Sequence, residues 1–178
     1  QALAQFRAIT TPIADLVGPA PYASMYLPIE EGPPPAVSIR SRYVDRFGVA
    51  EAAQIIAQVE RCDSPMKMAQ VRVMGGAFSR VPAEATAFGH RREQVMVAFL
   101  ALYGGGPDDV VRHDRWAVES AEMLRDNSTG AYVNFLAAEG DEGLNAAYPP
   151  ATLARLRQIK RRYDPRNLFH LNQNILPA

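Results

Sequence analysis

Four side chains toward the C-terminus could together read the edge of a planar ring. Tyr132 and Asn134 sit in the stretch GAYVNFL at residues 130–136, and Asn172 and Asn174 sit in the final run YDPRNLFHLNQNILPA at residues 163–178. An amide presents a donor and an acceptor side by side, and a phenol can do either, so such a set suits a heteroaromatic ring carrying both. Helix caps and turn bonds make the same demands, and the residues alone leave both readings open. Other chemistries find less support. His90, His113 and His170 are scattered without ligand spacing, and no Cys/His pairs exist for structural zinc. Gly104-Gly105-Gly106 could cradle a phosphate between a strand and a helix, although a glycine triplet is usually a loop. Glu139-Gly140-Asp141-Glu142 lacks calcium-loop spacing and reads as a solvated acidic turn. His90-Arg91-Arg92 precedes an apolar strand, where Arg91 could pair a carboxylate or a phosphate of another domain, or be an ordinary strand-end charge.

The elements that must position these groups follow from periodicity. Residues 37–44 alternate apolar and polar, as a half-buried strand does. Residues 50–61 read as a helix with Ala52, Ile56 and Val59 inward. A strand pattern begins at Gln70, and Gly75-Gly76 within it suggests a bulge or a close backbone approach. QVMVAFLALY at 94–103 is apolar on both parities, as in a central strand with both faces covered. Asp108 can cap a helix running to about Arg125, with Trp116, Ala117, Ala121 and Leu124 inward. Residues 130–136 read as a strand, with Tyr132 and Asn134 on one face and Val133 and Phe135 on the other. Residues 151–162 form the last helix, with Leu153, Leu156, Ile159 and Tyr163 inward and Arg155, Arg157, Lys160, Arg161 and Arg162 outward. The fold class is α+β, an antiparallel or mixed sheet flanked by helices.

Composition narrows the function classes. The 178 residues are 48% apolar, enough for a core, and 19 basic residues balance 19 acidic ones. That neutrality speaks against nucleic acid or an anionic membrane as partner, and no apolar run is long enough to span a bilayer. A single cysteine, Cys62, forms no internal disulfide and weakly favours a reducing, cytoplasmic setting. Asn127-Ser128-Thr129 fits a glycosylation sequon or a helix-ending polar cluster. The chain opens without Met inside an apparent helix, so Gln1 is expected not to be a native start.

Several segments resemble the berberine-bridge-enzyme-like FAD-linked oxidoreductases, of the vanillyl-alcohol-oxidase type. Gly75-Gly76-Ala77 with Thr86-Ala87-Phe88-Gly89-His90-Arg91 is similar to that family's GGA…TAFxHR stretch. Gly130-Ala131-Tyr132-Val133-Asn134-Phe135 is similar to its GAYxNF segment. Lys160, Tyr163-Asp164-Pro165, Asn167, Phe169 and Asn172-Gln173-Asn174-Ile175 are similar to its closing KxxYDPxNxFxxNQNI. The resemblance covers most of the chain from about residue 70.

It implies a substrate-binding part of an oxidoreductase that takes hydride from an alcohol, sugar, alkaloid or polyketide to FAD. Residues 1–150 would be the α+β substrate domain, and residues 151–178 a helix and tail returning to an N-terminal FAD-binding domain of the same protein. The fragment alone would be inactive. By the resemblance Tyr132, Asn134 and Asn172 would face the flavin. The positions where some members carry polar groups at the substrate are Phe99, counted nine residues from His90, and Phe135, after Asn134. Both would line an apolar substrate pocket, and neither can serve as a base. The alternatives are a free-standing ligand-binding or dimerisation domain and a flavoprotein that has lost catalysis.

Overall fold

The computed structural model describes residues 3–11, 13–26, 33–125 and 128–178, without the side chains of 128 and 129. Expectations for Gln1 and the Asn127 sequon therefore fall, wholly or in part, outside the described residues. The chain divides into two compact units, Gln1–Pro33 and Pro34–Ala178. The first contains a short helix α1 (Ala4–Arg7) and a 3-10 turn at Tyr22–Met25. Its Tyr22 and Tyr26 rings meet edge to face at 5.7 Å.

The second unit is built on a four-stranded antiparallel sheet in the order β2-β3-β1-β4, formed by β1 (Ala36–Val44), β2 (Met66–Val73), β3 (Val95–Tyr103) and β4 (Ser128–Gly130). Strand β3 is central, which is why its apolar residues occupy both parities. Its odd-numbered residues Val95, Val97, Phe99, Ala101 and Tyr103 join one core with helices α2 (Val49–Arg61) and α3 (Pro107–Glu122). Phe99 is fully buried there and meets Trp116 edge to face at 6.0 Å. The Trp116 indole N–H donates to the Gln58 carbonyl at 2.8 Å, tying α3 to α2. Arg40 and Arg42 of β1 pair with Asp114 and Glu122 of α3.

Local chemistry explains the helix ends. The Glu51 carboxylate accepts the Gly48 N–H at 2.8 Å, closing the first turn of α2. Ile55, rather than Ile56, is the buried residue of that helix, while Ile56 is exposed. In α3 the cap position is Gly106 with Pro107 at the first turn, so Asp108 lies inside the helix instead of capping it. Gly75 and Gly76 lie beyond β2 in a turn with φ of 148° and 60°, so they are neither a bulge nor a close approach.

Two further elements complete the unit, α4 (Gly140–Ala147) and α5 (Pro150–Tyr163). The anticipated strand at 130–136 is instead the end of β4 followed by a 3-10 turn at Val133–Phe135. A 3-10 turn aligns positions three apart, so Tyr132 and Phe135 share a side, with rings 5.1 Å apart.

Because Phe99 is locked beneath the helices, truncating it leaves a cavity that rigid neighbours fill poorly. Phe99→Ala is expected to cost roughly 3–5 kcal/mol in chemical denaturation.

Candidate functional site

The even-numbered residues of β3 and their partners face away from α2 and α3, and the site is assembled at one end of this second face. Tyr43 at the end of β1 is fully buried there. Its ring stacks on His90 at 4.6 Å with 21° between planes, and meets Phe88 edge to face at 6.0 Å. The His90 Nε2 donates to the Ala146 carbonyl at 3.0 Å, and the same carbonyl accepts the Ala131 N–H at 3.1 Å. His90 Nδ1 contacts the Glu93 carboxylate at 3.0 Å. One imidazole thus joins the loop before β3 to the C-terminal end of α4 and, through Tyr43, to the sheet.

The approach is close enough to demand glycine at 130. A Cβ there would lie 2.4 Å from His90 Cε1 and 2.5 Å from the Ala146 oxygen. Arg91 is committed within its own loop. It donates to the carbonyls of Phe88 and Phe78 and to the Thr86 hydroxyl, and its guanidinium lies over the Phe78 and Phe88 rings at 4.7 and 5.1 Å. That fixes the 75–91 loop and leaves Arg91 engaged on this chain instead of on a phosphate elsewhere.

Tyr132 is anchored by its backbone N–H, which donates to the Ser41 hydroxyl at 3.0 Å. The Asn134 Nδ2 donates to the Tyr132 hydroxyl at 2.8 Å. That leaves the Asn134 carbonyl oxygen and a second amide hydrogen for a ligand. Asn134 is exposed, so burial does not force its amide to find a protein partner. The Arg72 guanidinium covers Phe135 at 5.1 Å.

The tail reaches the same place through a carboxylate clamp. Asp164 accepts the N–H groups of Leu168 at 2.8 Å and Phe169 at 3.0 Å, and the Lys160 ammonium at 2.6 Å. Lys160 and then the two N–H groups hold this carboxyl down to about 2. Asn167 and Asn172 take φ of 51° and 57°, which asparagine tolerates better than most residues. Gln173 Nε2 donates to the carbonyls of Leu136 and Ala137, each at 3.1 Å, docking the tail beside the 3-10 turn. The basic stripe of α5 is partly used in this docking, since Lys160 and Arg161 donate to the Phe169 and Ala178 carbonyls.

Asn134, Asn172 and Gln173 consequently line one cavity of about 790 Å³, together with Leu136, Tyr148 and Leu171. A second cavity of about 190 Å³ shares Asn134, Val133 and Tyr148 with the first and adds Tyr43, Phe88, His90 and Tyr132. Of the anticipated residues, Tyr132, Asn134 and Asn172 converge on these two spaces. Phe99 does not: alternation along β3 turns it to the helix-covered core, and Ala98 and Leu100 carry the opposite face. Phe135 lies beside the site but packs between Tyr132 and Arg72 and lines neither cavity. Tyr43, Tyr148 and Gln173 were not singled out as site residues, although Gln173 lies inside a family-like motif. Among the described residues no cluster of His, Cys, Asp and Glu could hold a metal. No helix among them is long and apolar enough to cross a membrane.

Known proteins resemble this chain in sequence and in fold. Residues 131–176 match the family model "Berberine and berberine like". An uncharacterized FAD-linked oxidoreductase of Bacillus subtilis, YvdP, is 33% identical over 105 residues, covering 58% of this chain and 23% of that protein. The xylooligosaccharide oxidase of Thermothelomyces thermophilus is 32% identical over 112 residues, covering 57% of this chain and 22% of that protein. The chain therefore spans about a quarter of the length of the curated relatives it matches. In fold it is similar to a glycopeptide hexose oxidase solved with teicoplanin, at TM-score 0.69 and 24% identity over 85% of this chain and 34% of that one. A chitooligosaccharide oxidase aligns at TM-score 0.64 and 22% identity, over 81% and 33% respectively.

Two outcomes follow. Gly130→Ala forces apart His90 and the Ala146 carbonyl and is expected to cost roughly 1–3 kcal/mol in thermal or chemical unfolding. The Asp164 carboxyl is depressed in the folded chain, so its contribution is complete above the ordinary carboxylate range and is lost as pH falls from about 4 toward 2. Protection of the Leu168 and Phe169 amides against hydrogen exchange, relative to the free-chain rate at each pH, should fall over that interval, and Asp164→Asn should abolish the extra pH dependence.

Proposed function

We propose that this chain, whose residues 131–176 match the berberine and berberine-like family model, is the substrate-binding part of an FAD-dependent oxidoreductase. The observation that carries the reading is the convergence of Asn134 and Asn172 on one cavity by two separate routes, the 3-10 turn and the Gln173-docked tail. The donor set suits a flavin edge. Asn134 keeps an amide oxygen and a hydrogen free, the exposed Asn172 adds both kinds of group, and Tyr132 holds the Asn134 side chain in orientation. These three residues are assigned to hold and orient the flavin ring.

When bound, the flavin supplies the hydride acceptor for oxidation of an alcohol, sugar, alkaloid or polyketide. The chain's own residues position the ring and give an apolar, aromatic approach to it through Val133, Leu136 and Tyr148. Among the described residues no carboxylate lines either cavity, and we assign the proton acceptor to a further domain of the same protein. The remaining FAD-binding residues are assigned to a further domain of the same protein, onto which the exposed Phe169, Leu171 and Leu176 side chains of the tail would dock. In isolation these 178 residues are expected to oxidise nothing.

The test is Asn134→Ala and Asn172→Ala in the intact protein. Removing one neutral hydrogen-bonding group should weaken flavin retention or slow its reduction by substrate about 5- to 10-fold. Unchanged retention and unchanged reduction in both variants would contradict the assignment.

A further inference from the structure

Beyond the 3-10 turn, the second face of the sheet is partly open, and strand register fixes which side chains meet there. Val37, Leu102 and Met66 stand in one row across β1, β3 and β2, and Ile39, Leu100 and Met68 stand in the next. Residues directly opposite in an antiparallel sheet share a face. Ala36, Ala69 and the odd residues of β3 take the other face, against the helices. Val37, Met66 and Met68 are 50%, 53% and 40% exposed, so a solute can reach this patch. The third row is Ser41, Ala98 and Gln70. There the Ser41 hydroxyl accepts the Tyr132 N–H, so the open patch begins one row, about 7 Å along the strands, from the turn that carries Asn134.

Size and chemistry narrow the occupant. Three strands about 4.8 Å apart and two rows about 7 Å apart give a flat surface wide enough for two or three fused rings. All six side chains are Val, Leu, Ile or Met, and none offers a hydrogen-bond donor or a strong acceptor. A sugar laid on them would lose water from hydroxyls that find no partner, whereas a fused-ring body loses little and gains apolar burial. Gln70, at the border beside the small Ala98, makes no side-chain hydrogen bond among the described residues and can meet one oxygen of the occupant. A protein partner fits less well. Six side chains, each about half exposed at most, fall well short of the roughly 800 Å² per partner that a stable interface buries.

We propose that this open face is the substrate platform of the oxidoreductase, and that it selects a hydroxyl-poor fused-ring alcohol over a sugar. This narrows the substrate class within the flavin-dependent reading and rests on that reading. Met68 and Leu100 are the specificity-determining residues, because they stand in the row next to Gln70 and closest to the amide-bearing turn.

The experiment titrates 1-naphthol and methyl β-cellobioside, two probes of two rings each, calorimetrically into the intact, flavin-loaded protein. 1-Naphthol has no hydrogen on its oxygen-bearing carbon, so it binds without giving up a hydride. Wild type should bind it at least about tenfold more tightly than the glycoside. Met68→Glu sets a carboxylate in the patch and should weaken 1-naphthol about tenfold, with flavin content and melting temperature unchanged. Val49→Glu, at an exposed apolar position of α2 outside the patch, should leave binding unchanged. Equal or tighter binding of the glycoside, or equal effects of the two variants on 1-naphthol, would overturn the proposal. So would a fall in melting temperature or flavin content in Met68→Glu, which would show that protein covers the face. A protein that keeps its flavin yet fails these tests leaves the flavin assignment standing, and one that holds no flavin sinks both.

Discussion

The hydrogen bond from His90 to the Ala146 carbonyl is the junction on which the site depends. On one side of it the imidazole stacks on Tyr43 and so belongs to the sheet. On the other, the same carbonyl receives the Ala131 N–H and sets where the Tyr132–Asn134 turn begins. Only a residue without a side chain fits between them, and Gly130 occupies that place. Were the junction to loosen, the aromatic wall, the amides and the end of α4 would lose their common reference.

A division of labour follows from the two faces of the sheet. The face under α2 and α3 is a closed core held by Phe99, Trp116 and the odd residues of β3. The other face is covered near Tyr43 and Ser41, while Val37, Met66 and Met68 remain about half exposed. Stability thus comes mainly from one side and ligand chemistry from the other. The tail completes the second side by a separate device, with Asp164 gathering two backbone N–H groups and an ammonium so that the chain turns and brings Asn172 and Gln173 alongside the 3-10 turn.

Much of this was legible from residue order. Strands β1 and β3 and helices α2, α3 and α5 lie within a residue or a few of their expected limits, because their patterns are long and periodic. The approach of Tyr132, Asn134 and Asn172 was anticipated from their chemistry together with motif resemblance. The errors have physical causes. Residues 139–142 were read as an acidic turn, whereas they open helix α4, in which Gly140 and Gly143 are poor helix formers. Gly143 is instead a packing glycine, whose added Cβ would lie 2.6 Å from the Glu139 Cβ. Phe99 was assigned by counting from His90, and on a strand an error of one residue reverses the face. Tyr43 escaped notice because its importance lies in its stack on His90, a contact between distant segments that residue order does not display.

The central claim is that the amide-lined cavity serves a flavin carried by the intact protein. Its most direct test is the visible absorption spectrum of that protein, recorded as purified and after addition of FAD. A flavin spectrum that persists through desalting is the predicted result. A protein that stays colourless after FAD is added would contradict the account and leave the cavity as a binding site for some other planar ligand.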